Sequence, residues 1–118
     1  MKGKEPKVLG FYKEEGDEVL IGELKGDQEG FYVELPSGFR NRMEIVVGNK
    51  IKFFLDSILD RDGHLLSEIG KEVMGEVIGY WNELHLPQED ISRYNIQKGD
   101  KLRLMVKSVI QHGVERNA

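Results

Sequence analysis

Residues 33–59 of this chain can be laid over residues 84–110 without a gap. Leu35, Pro36, Arg42, Ile45, Gly48, Lys50 and Ser57 meet Leu86, Pro87, Arg93, Ile96, Gly99, Lys101 and Ser108. Other pairs keep their character: Ile51 meets Leu102, Lys52 meets Arg103, Phe53 meets Leu104, and Asn49 meets Asp100. Upstream, Gly22-Glu-Leu-Lys-Gly26 is similar to Gly75-Glu-Val-Ile-Gly79, once a two-residue difference in the next turn is allowed. A duplication of this kind constrains a fold strongly, because each copy must build the same supersecondary unit. Several of the identities fall on Pro and Gly, the residues that punctuate backbone structure. The two copies span about residues 18–63 and 71–113, within one domain of residues 1–118.

Each copy has the same order of elements. An apolar strand comes first, Val19 to Leu24 and then Val73 to Ile78. A turn follows, over Gly26–Gly30 in copy one and around Gly79–Glu83 in copy two. Next is a short alternating strand, residues 31–35 and 83–86, ended by a proline that cannot donate to a ladder. Proline suits a first helical turn, so a short helix is expected after Pro36 and after Pro87. Ser37 is a candidate cap for the first helix, with Phe39 and Met43 on one face; Glu89 and Asp90 favour the second, with Ile91 and Tyr94 on one face. Gly48-Asn49 and Gly99-Asp100 then read as structural turns, with Gly supplying positive φ and Asn or Asp bonding the neighbouring backbone. A long alternating strand follows each turn, closed by Asp60-Arg-Asp-Gly63 and by the weaker Gln111-His-Gly113. Residues 7–12 suggest an extra strand, residues 64–72 read equally as strand or short helix, and residues 114–118 read as a loose end. The fold expected is all-β with short helices: a pseudo-twofold barrel of two β-β-α-β repeats.

The unit of strand, proline, short helix, Gly-Asp and strand resembles the cradle-loop barrel group. That group includes the AbrB-type swapped-hairpin transcription regulators and the double-psi barrels. Leu86-Pro87, Tyr94, Ile96 and Gly99-Asp100 match the AbrB pattern of an apolar-Pro start, apolar positions seven and nine residues beyond the proline, and a Gly-Asp box. Leu35-Pro36, Met43, Ile45 and Gly48-Asn49 repeat that frame, with Asn for Asp. The resemblance covers nearly all of residues 18–113. It implies that one chain does the work of a family dimer, as a monomer with internal pseudo-symmetry. Swapped-hairpin and double-psi strand orders both fit the repeat.

The same resemblance implies a non-enzymatic DNA-binding module, with double-stranded DNA as the partner. Arg40 matches the first arginine of the family's post-proline pair, and Arg42 and Arg93 occupy equivalent places nearby. The family's arginine four residues before the proline is replaced by Tyr32 in one copy and Glu83 in the other. Charge is unevenly spread, although the net value is −4. Residues 35–52 carry Arg40, Arg42, Lys50 and Lys52 against Glu44, and residues 93–107 carry Arg93, Lys98, Lys101, Arg103 and Lys107 against Asp100. Residues 13–34 carry eight acids against two lysines. Basic residues in corresponding parts of two repeats suit a twofold phosphate-facing patch. The strand residues among them also read as solvated faces of alternating strands. Two alternatives stay open: a protein- or peptide-binding barrel of double-psi type, with Tyr80 and Trp81 as contacts, and a small-ligand barrel.

Composition narrows the chemistry. The chain has 118 residues and no cysteine, which removes disulfides, cysteine zinc sites and thiol catalysis. No phosphate-cradling loop or nucleophile elbow is present. His64, His85 and His112 lack metal-ligand spacing, and His85, between Leu84 and Leu86, is expected at the surface. Asp56, Asp60 and Asp62 lack the closing acid of a calcium loop. No catalytic residue, cofactor or metal is therefore expected. No apolar run reaches the length of a membrane span and the N-terminus lacks a signal-like apolar core, so the expected location is cytoplasmic.

Overall fold

The computed structural model describes residues 10–14, 17–78 and 83–117. It is mostly β, a strongly curled half-barrel sheet with two short helices. The strands are β1 (Gly10–Glu14), β2 (Asp17–Glu23), β3 (Lys25–Asp27), β4 (Gly30–Glu34), β5 (Lys50–Leu59), β6 (Leu65–Val77), β7 (Glu83–His85), β8 (Lys101–Gln111) and β9 (Val114–Asn117). Helix α1 (Ser37–Arg42) precedes β5, and α2 (Gln88–Arg93) precedes β8. The pairing order is β1-β2-β8-β5-β6-β7-β4-β3, with β9 beside β8 and every pair antiparallel. Strand β3 follows β2 after a single residue, Leu24, so the chain itself joins two distant places in that order.

Strands β5 and β8 lie side by side at the centre of the sheet and are equivalent in the two copies. Their alternation buries Ile51, Phe53 and Leu55 from one and Leu102, Leu104 and Val106 from the other. The ladder skips Asp56 on β5 and Lys107 on β8, so the bulges also correspond. A bulge bends a strand and increases its twist, which helps the sheet to curl. Beyond each bulge the buried set shifts, to Ser57 and Ile58 in one strand and Ser108 and Val109 in the other.

A set of backbone hydrogen bonds recurs bond for bond around the helices. Arg40 N–H donates to Pro36 and Ile91 N–H to Pro87. At the helix ends, Ile45 N–H donates to the Arg40 carbonyl and Ile96 N–H to that of Ile91, both at 3.0 Å. Glu44 and Asn95, at φ 56° and 52°, donate to Asn41 and Ser92. These paired bonds and left-handed residues form a Schellman ending in each copy. The prolines are the caps themselves, in extended conformation, and neither helix has a side-chain cap. Ser37 is therefore the first helical residue and not the cap expected from sequence.

Gly48 and Gly99 adopt φ of 98° and 96°. The Asn49 side chain accepts from Val46 N–H, and the Asp100 side chain from Gln97 N–H, each at 2.9 Å. The two turns also latch the copies together. Gly48 N–H donates to Val77 and Val77 N–H returns to Asn49, while Gly99 N–H donates to Leu24 and Leu24 N–H returns to Asp100. Each turn thus pins the first strand of the other copy. Those bonds occupy the backbone of Leu24, where β2 gives way to β3.

Three other sequence expectations are corrected or resolved. Residues 65–72 are strand, because β6 runs the length of β5 after the Asp60–Gly63 turn. That turn closes on the Asp60 carboxylate, which accepts from Asp62 and His64 N–H. Residues 114–117 are not loose: His112 and Gly113, both at positive φ, turn the chain back as β9. Arg116 fastens it by donating to the Met43 carbonyl and to Gln111.

Candidate functional site

The three arginines singled out in the sequence fall into two environments. Arg42 and Arg93 are the last residues of α1 and α2, exposed, and related by the repeat. The prolines, the Schellman endings and the Gly-Asn or Gly-Asp turns hold both helix ends in the same way. The Arg42 guanidinium lies over the Phe39 ring, 5.7 Å from its centroid. Arg40 differs: it is half-buried, and its Nε donates to the Ile45 carbonyl at 3.2 Å. That bond ties the side chain to the end of its own helix. Its counterpart in copy two is Ile91, which is buried. The structure therefore gives Arg42 and Arg93 a common backbone setting and sets Arg40 apart.

Several strand cations are engaged by carboxylates. Lys52 Nζ lies 3.2 Å from Glu115 and 3.7 Å from Glu72, and Arg103 Nη1 lies 2.9 Å from Asp56. The hydrogen bond to Glu115 holds the Lys52 ammonium above its usual pKa. The Ser108 hydroxyl, and then Lys52, hold Glu115 below the usual carboxylate range. Lys101 donates to the Arg61 carbonyl. The Glu72 and Asp56 pairs link neighbouring strands, and the Glu115 pair reaches across β8 from β5 to β9. Lys50 and Lys98 are exposed on the segments that carry the Gly turns.

A second group of polar residues was not foreseen. His85 is buried, not at the surface as its flanking leucines suggested. The alternation does turn it away from buried Leu84 and Leu86. Strand pairing, however, sets it directly opposite Tyr32, whose ring stacks on the imidazole with centroids 5.2 Å apart. Glu83 Oε1 is 3.4 Å from His85 Nε2, and Asp27 completes a cluster whose ligand atoms lie within 4.8 Å of one another. Burial, and then the carboxylates of Glu83, Asp27 and Glu34, raise the pKa of the Tyr32 phenol. Asp27, Tyr32, Glu83 and His85 come from three strands. Only the register of β3, β4 and β7 brings them together, so spacing along one copy gave no signal.

Tyr80 and Trp81, the contacts expected of a protein-binding barrel, lie outside the described residues. Among the described residues no helix is long and apolar enough to cross a membrane. Comparison with protein-family models, curated proteins and solved structures gives no match to this chain.

Proposed function

We propose that the chain is a non-enzymatic binding module of the cradle-loop barrel type, and that double-stranded DNA is its ligand. The observation that carries this reading is the pair Arg42 and Arg93. Both are exposed at the ends of helices closed by the same hydrogen bonds, one in each copy. Two cations repeated by a pseudo-twofold suit the two phosphate strands of a duplex, and arginine can grip each phosphate with parallel donors. Lys50 and Lys98 add exposed charge near the same turns. Arg40 supports the helix end from which Arg42 projects. The acids of residues 13–34 face away from the duplex in this reading, since like charge repels.

The test is a titration of a short random duplex at several salt concentrations. Affinity should fall log-linearly with salt, and the Arg42→Gln/Arg93→Gln variant should bind more weakly with a flatter slope. Absence of binding by the wild type at low salt rejects the reading. A protein or peptide ligand is then the reading to pursue. It draws on Val46 and Val47, which are 54% and 53% exposed before Gly48, where copy two has Gln97 and Lys98.

A further inference from the structure

The cluster on β3, β4 and β7 has features that a surface ion-pair group lacks. The His85 side chain is only 6% exposed. Its Nε2 contact with Glu83, at 3.4 Å, is long for a hydrogen bond, which runs at about 3 Å. A buried imidazole nitrogen held by so long a contact is poorly satisfied. Gly30 is the second feature. It lies opposite Asp27 in the β3–β4 ladder. A Cβ built there would meet one heavy atom within 4 Å, His85 Nδ1 at 3.7 Å. The missing side chain leaves the Nδ1 edge of the imidazole open beside the turn that carries Asp27, while Nε2 faces Glu83. A cavity of about 360 Å³ reaches His85 from this side, lined in part by Glu29, Gly30 and Glu76.

We infer that Asp27, Glu83 and His85 form a binding site for one divalent first-row transition-metal ion. One imidazole nitrogen and two carboxylate oxygens are a donor set that such ions accept, with positions left for water. Two carboxylates balance the ion's charge. Glu34 adds negative charge nearby, while its ion pair with Lys25, at 3.4 Å, lies on the exposed side. Bonds from such an ion to nitrogen or oxygen are about 2.0–2.2 Å, so adjacent donors sit about 3 Å apart. The Glu83–His85 contact is already near that spacing. Asp27 is exposed at the β3–β4 turn, where one carboxylate oxygen accepts from Glu29 N–H at 2.8 Å and the other is left for the ion. Tyr32 is a positioning residue: its stacked ring fixes the plane of the imidazole. The other cluster of this kind among the described residues, Asp60, Asp62 and His64, is different. There the Asp60 carboxylate accepts two backbone N–H groups in closing its turn, against one at Asp27, and His64 is exposed where His85 is buried.

The experiment is a calorimetric titration of ZnCl2 into the metal-free full chain. One Zn²⁺ should bind per chain. Asp27→Asn and Glu83→Gln should each weaken binding by about tenfold or more, the scale on which even outer partners of a metal site act. His85→Gln should weaken it further, and Asp60→Asn should leave it unchanged. Mn²⁺ should broaden the NMR signals of the His85 ring before those of His64. If buried His85→Gln fails to fold, the two carboxylate variants decide. No binding by the wild type at millimolar Zn²⁺ overturns the proposal, as does unchanged binding by both carboxylate variants or selective loss in Asp60→Asn.

Discussion

The two copies share a backbone scaffold but seat their helices differently. In copy one the core-facing pair is Phe39-Arg40: the ring is buried and the arginine half-buried. At the same places copy two has Asp90 and Ile91, both buried. The apolar side chain has moved one position along the helix. Asp90 is held by Lys71 Nζ at 2.8 Å, a contact that Phe39 cannot make. Yet the backbone bonds that close each helix end and each Gly turn recur in both copies. The scaffold is therefore set by the proline, the left-handed helix end and the Gly turn. The core can take its apolar contribution from either of two adjacent residues, provided a displaced polar group finds a partner.

The largest effect should come from the close approach of strands that both copies require. A Cβ at Gly75 would lie 2.7 Å from Leu84 Cδ1 and 2.8 Å from the His85 carbonyl oxygen. The matching site in copy one, Gly22, would place it 3.0 Å from Val33 Cβ. Gly75→Val should destabilise by about 3 kcal/mol or prevent folding, since backbone cannot yield as a side chain can. Gly22→Val should cost about 2 kcal/mol on the same scale. Urea unfolding measures both. A negligible cost at either site would mean that the copies do not share this packing.

Next is the feature found in copy two alone. Lys71→Ala leaves the Asp90 carboxylate buried without its cation. Removing one partner of a fully buried pair costs about 3–5 kcal/mol, and partial exposure of Lys71 lowers the expected loss to about 2 kcal/mol. Adding Asp90→Asn should recover part of it, because a neutral amide is cheaper to bury than a lone carboxylate. If Lys71→Ala is neutral in urea unfolding, the pair is incidental and copy two seats its helix by Ile91 alone.

Much of this scaffold was legible in the chain because it depends on residues with narrow backbone roles. Pro36 and Pro87 marked the helix starts, and Gly48-Asn49 and Gly99-Asp100 marked the turns. Alternation revealed β5 and β8. What could not be read was set by partners distant in sequence. His85 follows the outward alternation of a strand, but Tyr32 from another strand covers it. Ser37 has a capping side chain, but the extended proline before it takes the cap. Residues 114–117 carry no strong strand pattern and become β9 through ladder bonds to β8 and the anchors of Arg116. The division of the arginines was hidden for the same reason, since Arg40 is withdrawn by a carbonyl five residues away.

The turns provide a matched pair of moderate effects. Gly48→Val and Gly99→Val each force a β-branched residue to positive φ, which costs about 1–2 kcal/mol. Open space surrounds Gly48, whereas Arg61 Nη2 would lie 3.1 Å from a Cβ at Gly99. That guanidinium is the mobile end of a long side chain and should swing aside, so the two costs should agree within about half a kcal/mol by the same steric reasoning. A neutral outcome at both sites in thermal unfolding would show that the latch tolerates another backbone conformation.

The smallest effect on stability, and the sharpest on function, belongs to the arginines. Arg42→Gln and Arg93→Gln alter exposed side chains at equivalent helix ends, so each should shift stability by no more than about half a kcal/mol. If both grip phosphate, each should lower the slope of log affinity against log salt by about one. Equal losses would show that the two copies contribute alike to binding. A loss confined to Arg93 would place the ligand on copy two, leaving Arg42 to its Phe39 ring. Arg40→Gln is the internal control. It removes the bond to the Ile45 carbonyl, so it should lower stability by about 1 kcal/mol, the usual net worth of such a bond. Its effect on affinity should track the loosening of the α1 end and not the loss of a phosphate contact. The salt slope of Arg40→Gln should therefore stay at the wild-type value. A slope reduced as much as in Arg42→Gln would return Arg40 to the binding surface and remove the distinction drawn between the two arginines of α1.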